Sequence, residues 1–224
     1  MNKTVATITL ALGASSAFAA LDINLPGNTY ETIWQDMTAS NNTGFPGYFN
    51  PTDSWPHSIT PSLITPGADV ADFDKVSGGG YPASGGIYNT DVTGTYSITD
   101  EAPLANLQTI VFQTDMVSTM DVAPVLSINS GALILAADFV QTAPGDFSGM
   151  GANSTVFAYQ WDLSAIAGIT DYSLEWTSGA HTSNYFMQIN QGDTFSQVIP
   201  EPSTYALFAG VATLGLILMR RKTR

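Results

Sequence analysis

The sequence predicts an all-β protein, an antiparallel β-sandwich of the jelly-roll kind with long loops rich in proline and glycine. Two segments, Val156–Leu163 and Tyr172–Thr177, alternate apolar and polar residues with a period of two. That period is typical of antiparallel strands with one buried face. Residues 21–199 contain no long amphipathic helical pattern, and turn-forming residues separate several further short apolar runs. Short strands at such spacing favour a sandwich.

The N-terminal segment predicts a secretory signal peptide of residues 1–20. It begins with a single basic residue, Lys3, continues with the apolar run Val5–Ala14 and ends in small residues with an A-x-A pattern. This is the three-part layout of a cleaved leader, and the apolar run is too short to span a bilayer as a resident helix. We expect cleavage after Ala19 or Ala20.

Residues 21–100 predict loops and short edge strands that wrap over the core. Prolines recur there at a spacing of five, and glycines cluster at positions 78–80 and 85–86. Each proline fixes φ and removes a backbone donor, which excludes a helix or a central strand at its position. The spaced prolines are Pro46, Pro51, Pro56, Pro61 and Pro66.

Residues 101–199 are richer in strand patterns. Within the two clearest strands, Trp161 and Trp176 share a face with the other large apolar side chains, so we expect both in the core. Ser164–Gly168 predicts one helical turn between two strands. Weaker strand patterns occur at Leu107–Met116, Pro124–Ser130, Ala132–Val140 and Tyr185–Gln191.

Charge excludes one large class of partners. Between residues 21 and 199 the chain has 18 acidic residues and a single basic one, Lys75, which gives a net charge of −17. Such a surface repels nucleic acid and anionic lipid and attracts divalent cations. We therefore expect no nucleic-acid partner. The chain has no cysteine, so an exported fold would depend on its core, with or without a metal ion, and not on disulfides.

The C-terminal segment 200–224 has three parts in a fixed order. Pro200-Glu201-Pro202 comes first, and residues 204–219 follow as a predicted transmembrane helix. Its apolar part, Tyr205–Met219, spans roughly 22 Å against a hydrocarbon core of ~30 Å, which makes a weak anchor. Basic residues stay cytoplasmic, so residues 21–199 are expected outside, in agreement with the leader. The basic residues are Arg220, Arg221, Lys222 and Arg224.

This order of motif, apolar span and basic end resembles a PEP-CTERM sorting signal. Signals of that family are recognised by exosortase, a membrane-embedded cysteine transpeptidase-like enzyme of Gram-negative bacteria that make extracellular polysaccharide. The resemblance implies that Pro200, Glu201 and Pro202 are the recognition motif and that processing occurs near them. It covers only Val198–Arg224 and implies nothing about the activity of the preceding residues, because unrelated ectodomains share the signal.

The densest acidic cluster is a candidate calcium site. Asp69, Asp72 and Asp74 lie close together in sequence, and hard oxygen ligands suit Ca²⁺. The EF-hand loop pattern is not met, because Val76 stands where a further oxygen ligand is needed. Two interpretations stay open, a calcium ion that reinforces the fold or a solvated acidic loop.

Two tryptophans are candidates for contact with carbohydrate. Trp34 and Trp55 fall in the region predicted as loops, where an indole ring can stack on a sugar. Extracellular polysaccharide is the ligand class that this pattern favours.

Catalytic motifs are absent from the sequence. It has two histidines, His57 and His181, and neither G-x-S-x-G nor H-E-x-x-H occurs. We therefore expect a non-catalytic protein of the cell surface or extracellular matrix, held briefly in the membrane by its tail and then processed. Two alternatives remain: a secreted glycan hydrolase or lyase on the same fold, and a permanently membrane-anchored binding protein.

Overall fold

The computed structural model describes residues 21–149 and 152–199. The predicted signal peptide of residues 1–20 and the predicted sorting segment of residues 200–224 lie outside the described residues. Within the described ranges, no helix has the length and apolar character needed to cross a membrane. All regular elements in these ranges are strands: β1 Thr29–Gln35, β2 Leu63–Ile64, β3 Asp72–Gly78, β4 Tyr81–Pro82, β5 Ile87–Tyr88, β6 Gly94–Asp100, β7 Thr109–Val117, β8 Met120–Ile128, β9 Leu133–Ala136, β10 Phe139–Gly149, β11 Ala152–Asp162, β12 Tyr172–Ser178 and β13 Ser183–Gly192.

The strands form two antiparallel sheets in a β-sandwich-like arrangement. The first sheet has the order β10-β11-β7-β13-β1-β2, and the hairpin β4–β5 joins it through β13. The second sheet has the order β3-β6-β12-β8-β9. The prediction of an all-β protein with antiparallel strands is confirmed.

Aromatic side chains from the two sheets meet in one core. Phe112 of β7 and Trp176 of β12 have ring centroids 5.0 Å apart, and Trp34 of β1 lies 5.9 Å from Phe73 of β3. Trp161 and Trp176 are both buried, as the alternating pattern predicts. Burying aromatic rings of this size supplies the apolar area that a fold without disulfides needs.

The two clearest strand predictions are confirmed by β11 and β12. Two details differ from the sequence interpretation. Ala132–Val140, predicted as one strand, is divided between β9 in the second sheet and β10 in the first. Ser164–Gly168 forms a turn, closed by the Ile166 amide on the Leu163 carbonyl at 2.9 Å, and not a helix.

The proline-spaced region lies between β1 and β3, and its one regular element is β2, a two-residue strand at the edge of the first sheet. Of the two strands that flank it, β3 is an edge strand of the second sheet, as the sequence interpretation expected, whereas β1 is an interior strand, and so is β6 further along residues 21–100. β1 pairs with both β13 and β2, and β6 pairs with both β3 and β12. Both contain no proline, so each keeps the donors that two neighbours require.

Candidate functional site

A wide cleft lies at one end of the first sheet, where β13 changes partner. β1 pairs with β13 as far as Gln35 opposite Phe186, and β5 then pairs with Asn184 and Ser183. The chain leaving β1 and the hairpin β4–β5 are therefore brought to the same side of β13. The cleft between them has a volume of about 730 Å³. Its lining residues are Thr38, Ala39, Ser40, Asn42, Gly44, Phe45, Pro46, Gly47, Tyr81, Pro82, Ala83 and Ser84.

Backbone hydrogen bonds fix the two walls to each other. The Ala39 amide donates to the Ala83 carbonyl at 2.9 Å. Asn42 folds the first wall back on itself, because its amide and its side-chain Nδ2 both donate to the Thr38 carbonyl, at 3.0 and 2.9 Å. These bonds order the cleft before any ligand arrives, which lowers the entropic cost of binding.

Two aromatic rings, Phe45 and Tyr81, line the cleft, and Tyr48 and Phe49 directly follow its lining residue Gly47. Tyr81 and Tyr88 meet edge to face with centroids 6.1 Å apart, and Tyr48 and Phe49 do the same at 5.5 Å. Tyr48 is 64% exposed and Phe49 is 96% exposed. Burial raises the pKa of the Tyr81 hydroxyl, and the neighbouring Tyr88 and Tyr48 raise it further. The Tyr81 hydroxyl is therefore a neutral donor and acceptor at physiological pH.

The cleft is supported from below by rings that continue into the core. Phe45 lies 5.4 Å from Trp55, and Trp55 lies 5.4 Å from Phe73 and 5.8 Å from Tyr96. The indole N–H of Trp55 donates to the Gly80 carbonyl at 3.0 Å. Trp55 lies in a loop, as predicted, but it is only partly exposed and its ring supports the wall.

Trp34 requires a correction. The sequence interpretation placed it in a loop as a carbohydrate contact, whereas the structure places it in β1 with 0% exposure. Its indole N–H donates to the Ile59 carbonyl at 3.0 Å, inside the core. A side chain with no accessible surface cannot stack on a sugar, so Trp34 is a core residue and not a contact.

Lys75 ties the proline-rich loop to the strands beneath the cleft. Its ammonium group donates to the carbonyls of Pro51 at 2.7 Å, Asp53 at 2.5 Å and Gly80 at 3.2 Å. It also lies 5.9 Å from the centre of the Trp55 ring, within the range of a cation–π contact. Lys75, the single Lys or Arg of residues 21–199, therefore stabilises the fold by holding the proline-rich loop against the strands.

A buried polar network lies next to the contacts of Lys75. The Tyr96 hydroxyl donates to Asn89 Oδ1, and Asn89 Nδ2 donates to the carbonyls of Ser178 at 3.2 Å and Gly179 at 3.0 Å. Gly80 passes directly over the phenol with φ +146°, and a Cβ there would stand 2.1 Å from the Tyr96 oxygen. Only glycine fits this position, since both the backbone angle and the space exclude a side chain.

The acidic cluster does not assemble into a metal site. Within residues 21–149 and 152–199, no group of three or more His, Cys, Asp or Glu side chains is placed to hold a metal ion. Asp72 is exposed on β3, Asp74 accepts a hydrogen bond from the Ser58 hydroxyl at 2.9 Å, and Asp69 caps the Val70 amide at 3.0 Å. Within the described residues, the three carboxylates of the candidate calcium site therefore do not converge.

The two histidines have different hydrogen-bond partners, and neither partner is a carboxylate. His57 is exposed and its Nδ1 contacts the Ser58 carbonyl at 2.9 Å. His181 is exposed in the turn before β13, and its Nδ1 lies 3.3 Å from the Tyr88 hydroxyl. These hydrogen bonds go to a backbone carbonyl and to a tyrosine, whereas a triad requires a histidine between a carboxylate and a serine.

A second, smaller cleft of about 440 Å³ lies on the second sheet near the ends of β6, β8 and β12. Its best-defined polar group, Asp171, already serves a turn. The carboxylate accepts the Ser130 amide at 2.6 Å and the Thr170 hydroxyl at 2.9 Å, and these bonds, the first above all, hold the pKa of Asp171 below its usual value. The hydrogen-bonding groups of Asp171 are therefore used to hold the loop after β8 against the loop before β12.

Neither the protein-family models nor the curated proteins compared with this chain give a match. The site is therefore interpreted from its own chemistry.

Sequence reasoning missed the rings that line the larger cleft, Phe45 and Tyr81, and the rings of Tyr48 and Phe49 that follow its lining residue Gly47. These residues belong to no periodic pattern. The available signal was local: GFPGYF at 44–49 and YPASGG at 81–86 both place aromatic residues beside proline and glycine. Such segments make loops that hold rings at the surface.

Proposed function

We propose that this protein is an exported, non-catalytic protein of the cell surface or extracellular matrix that binds neutral extracellular polysaccharide. The observation that carries the binding proposal is the ordered cleft lined by Phe45 and Tyr81, with the exposed rings of Tyr48 and Phe49 directly after its lining residue Gly47. The export proposal is supported by the sequence of the two ends alone. In it, exosortase recognises Pro200, Glu201 and Pro202 after the helix of residues 204–219 has paused the chain in the membrane.

The cleft offers the two kinds of contact that sugars use. Aromatic rings stack on the apolar C–H faces of pyranose rings, and edge-to-face ring pairs hold the platforms rigid. Hydroxyl and amide side chains lining the wall, such as Thr38, Ser40 and Asn42, are suited to sugar hydroxyls. A volume of about 730 Å³ is within the usual range for a small-ligand site.

Charge selects among polysaccharides. Residues 21–199 carry a net charge of −17, which opposes the approach of an anionic polymer at low salt. We therefore propose a neutral polysaccharide as the ligand. No cofactor enters this proposal, and the calcium expectation is not retained because the three carboxylates do not converge.

The strand order supports a jelly roll as the finer description of the fold. The segments β1-β13-β7-β11 and β6-β12-β8-β9 are two four-stranded cores in facing sheets. The connections β6–β7, β7–β8, β9–β10, β11–β12 and β12–β13 each pass from one sheet to the other. We propose two interlocked Greek keys on this basis.

The non-catalytic part of the proposal is supported by the lining of the cleft. Glycoside hydrolysis needs an acid and a second carboxylate on either side of the bond to be cut, roughly 5–10 Å apart. Among the described residues that line this cleft there is no Asp, Glu or His. The rings and hydroxyls present are suited to binding and not to proton transfer.

The experiment is a binding titration of the mature protein with neutral exopolysaccharide fragments from the producing cell. Phe49→Ala and Tyr81→Ala should each weaken binding roughly tenfold, about 1.4 kcal/mol for a lost stacking surface. Ile134→Ala is the matched control, because Ile134 is 65% exposed on β9 of the other sheet. Equal affinity for wild type and both ring variants would refute the binding proposal.

Two further measurements separate the alternatives. Release of reducing sugar that disappears when one carboxylate is changed would replace the proposal with a hydrolase. Mass spectrometry of the mature protein from its native cell tests sorting: we expect a chain without residues 1–20 and without the apolar tail. An intact tail in the mature protein would instead establish a permanently anchored protein.

A further inference from the structure

The two ends of the ectodomain pack side by side on the outer face of the first sheet. Leu25 and Ile199 are buried there with Val111 of β7 and Ala158 of β11, and Ile199 has 0% exposure. This cluster is separate from the main core between the sheets. The residues immediately before Pro200 are therefore part of the packed fold.

One side chain holds the C-terminal segment on the sheet. Oε1 of Gln160 accepts the amides of Val198 at 3.0 Å and Ile199 at 3.1 Å, and its Nε2 donates to the Ser196 carbonyl at 2.7 Å. Nε2 also donates to the Thr109 hydroxyl at 3.2 Å. Gln160 is fully buried, so these four bonds satisfy its amide and replace the backbone partners of a neighbouring strand.

We infer that Gln160 and the burial of Ile199 set the boundary of processing: peptide bonds before Ile199 are closed to a peptidase, and the tail is cut only on the C-terminal side of Ile199. The inference deepens the proposed sorting function by naming the residue at which the accessible substrate begins. A peptidase needs an extended, released segment, and cutting inside a packed segment requires that segment to open first.

The hydrogen bonds of Gln160 to the C-terminal segment also limit the distance between the domain and the membrane. Only residues 200–203 lie between Ile199 and the predicted span that starts at residue 204. Fully extended, four residues reach about 14 Å at most. The folded domain would then stand directly at the membrane surface, and the Pro-Glu-Pro motif would be presented there with no longer linker.

Gln113 provides a matched control, because it holds the other end of the chain with the same chemistry. Its Oε1 accepts the Leu21 amide at 2.8 Å, and its Nε2 donates to the Leu21 carbonyl at 3.1 Å. It is fully buried on β7, next to β11 in the same sheet. A loss of the two bonds at Gln113 should free Leu21, while the hydrogen bonds of Gln160 to residues 196–199 remain.

The test is thermolysin digestion of the full-length chain in detergent, with cut sites identified by mass spectrometry. Thermolysin cuts before large apolar residues, so it reports on the Gln197–Val198 and Val198–Ile199 bonds. We expect both bonds to be cut roughly 100-fold more slowly than in a free peptide of residues 193–203. Gln160→Leu should raise these rates at least tenfold, whereas Gln113→Leu, which keeps the bonds of Gln160, should raise them much less.

A second variant, Ile199→Ala, removes the buried anchor without altering a strand and should also raise the rates severalfold, so that an unstable Gln160→Leu protein does not decide the matter. Wild-type bonds cut as fast as in the peptide, or rates unaffected by both Gln160→Leu and Ile199→Ala, would overturn the inference. A native mature protein ending before Ile199 would overturn it as well. Protection of these bonds together with an intact native tail would instead refute the proposed sorting and leave the boundary standing.

Discussion

Replacing Lys75 with methionine tests whether one cation organises the proline-rich loop. Methionine keeps much of the aliphatic stem and removes the ammonium group that contacts three carbonyls. A hydrogen bond to a charged group contributes about 1.5–3 kcal/mol. The loss is not three times that value, because the Pro51 carbonyl keeps the Gly80 amide at 3.2 Å and the Gly80 carbonyl keeps the Trp55 indole.

A second effect reduces the cost further. Burial lowers the pKa of Lys75, and the attraction of Asp53 only partly compensates, so removing the charge also removes a desolvation penalty. We expect a net loss of about 1.5 kcal/mol, at the low end of the hydrogen-bond range. For a domain of this size that corresponds to a fall in Tm of roughly 3–6 °C.

Thermal unfolding followed by circular dichroism measures this change. Val76→Ala is the control, since Val76 is the next residue of β3 and is 53% exposed. It should shift Tm by less than about 2 °C, as exposed substitutions usually do. A Lys75→Met protein that melts with the wild type would show that the three contacts contribute nothing, and the account of the loop would be wrong.

Three other perturbations test the buried polar groups, each by chemical denaturation. Gly80→Ala should cost at least about 2 kcal/mol, because its Cβ would overlap the Tyr96 hydroxyl in a backbone angle that disfavours any side chain; a stable variant would contradict the close approach. Gln191→Leu should cost about 2–3 kcal/mol, because it removes the donor at 2.6 Å from Asp100 and the acceptor at 2.7 Å from the Leu104 amide; Gln197→Leu, at an exposed position, is its control. Burial raises the pKa of Asp100 above 3.8 despite its hydrogen bonds, so this group binds its proton more tightly in the folded state and its contribution to stability falls as pH rises from about 4 through the folded pKa. Asp100→Asn should flatten that part of the stability profile, and an unchanged slope would assign it to other carboxylates.

The strands that sequence could predict were those whose two faces differ in chemistry. From Phe157 onward in β11 and throughout β12 up to Trp176, large apolar side chains, most of them aromatic, occupy every second position, and the inward placement of Trp161 and Trp176 follows from that pattern. β1 reads TYETIWQ and places Thr32, which is 2% exposed, among its buried residues. Because a polar residue shares the buried face with Trp34, the alternation of apolar and polar residues is obscured. The sequence pattern therefore does not show that Trp34 belongs to a strand.

The cleft could not be predicted because it depends on pairing far along the chain. Its walls are 38–47 and 81–84, and they meet only because β13 exchanges β1 for β5 near Asn184. Local propensity contains no information on that exchange. The acidic triplet fails for the opposite reason: residues close in sequence are directed to different partners, Asp74 to Ser58 and Asp69 to its own loop.

The shared burial of Leu25 and Ile199 in one small cluster has an architectural consequence. A unit whose entry and exit points coincide can be inserted into a loop of another polypeptide, or have its ends joined and be reopened elsewhere, with little distortion of the host or of itself. The folded unit between these two residues is therefore suited to insertion and to circular permutation.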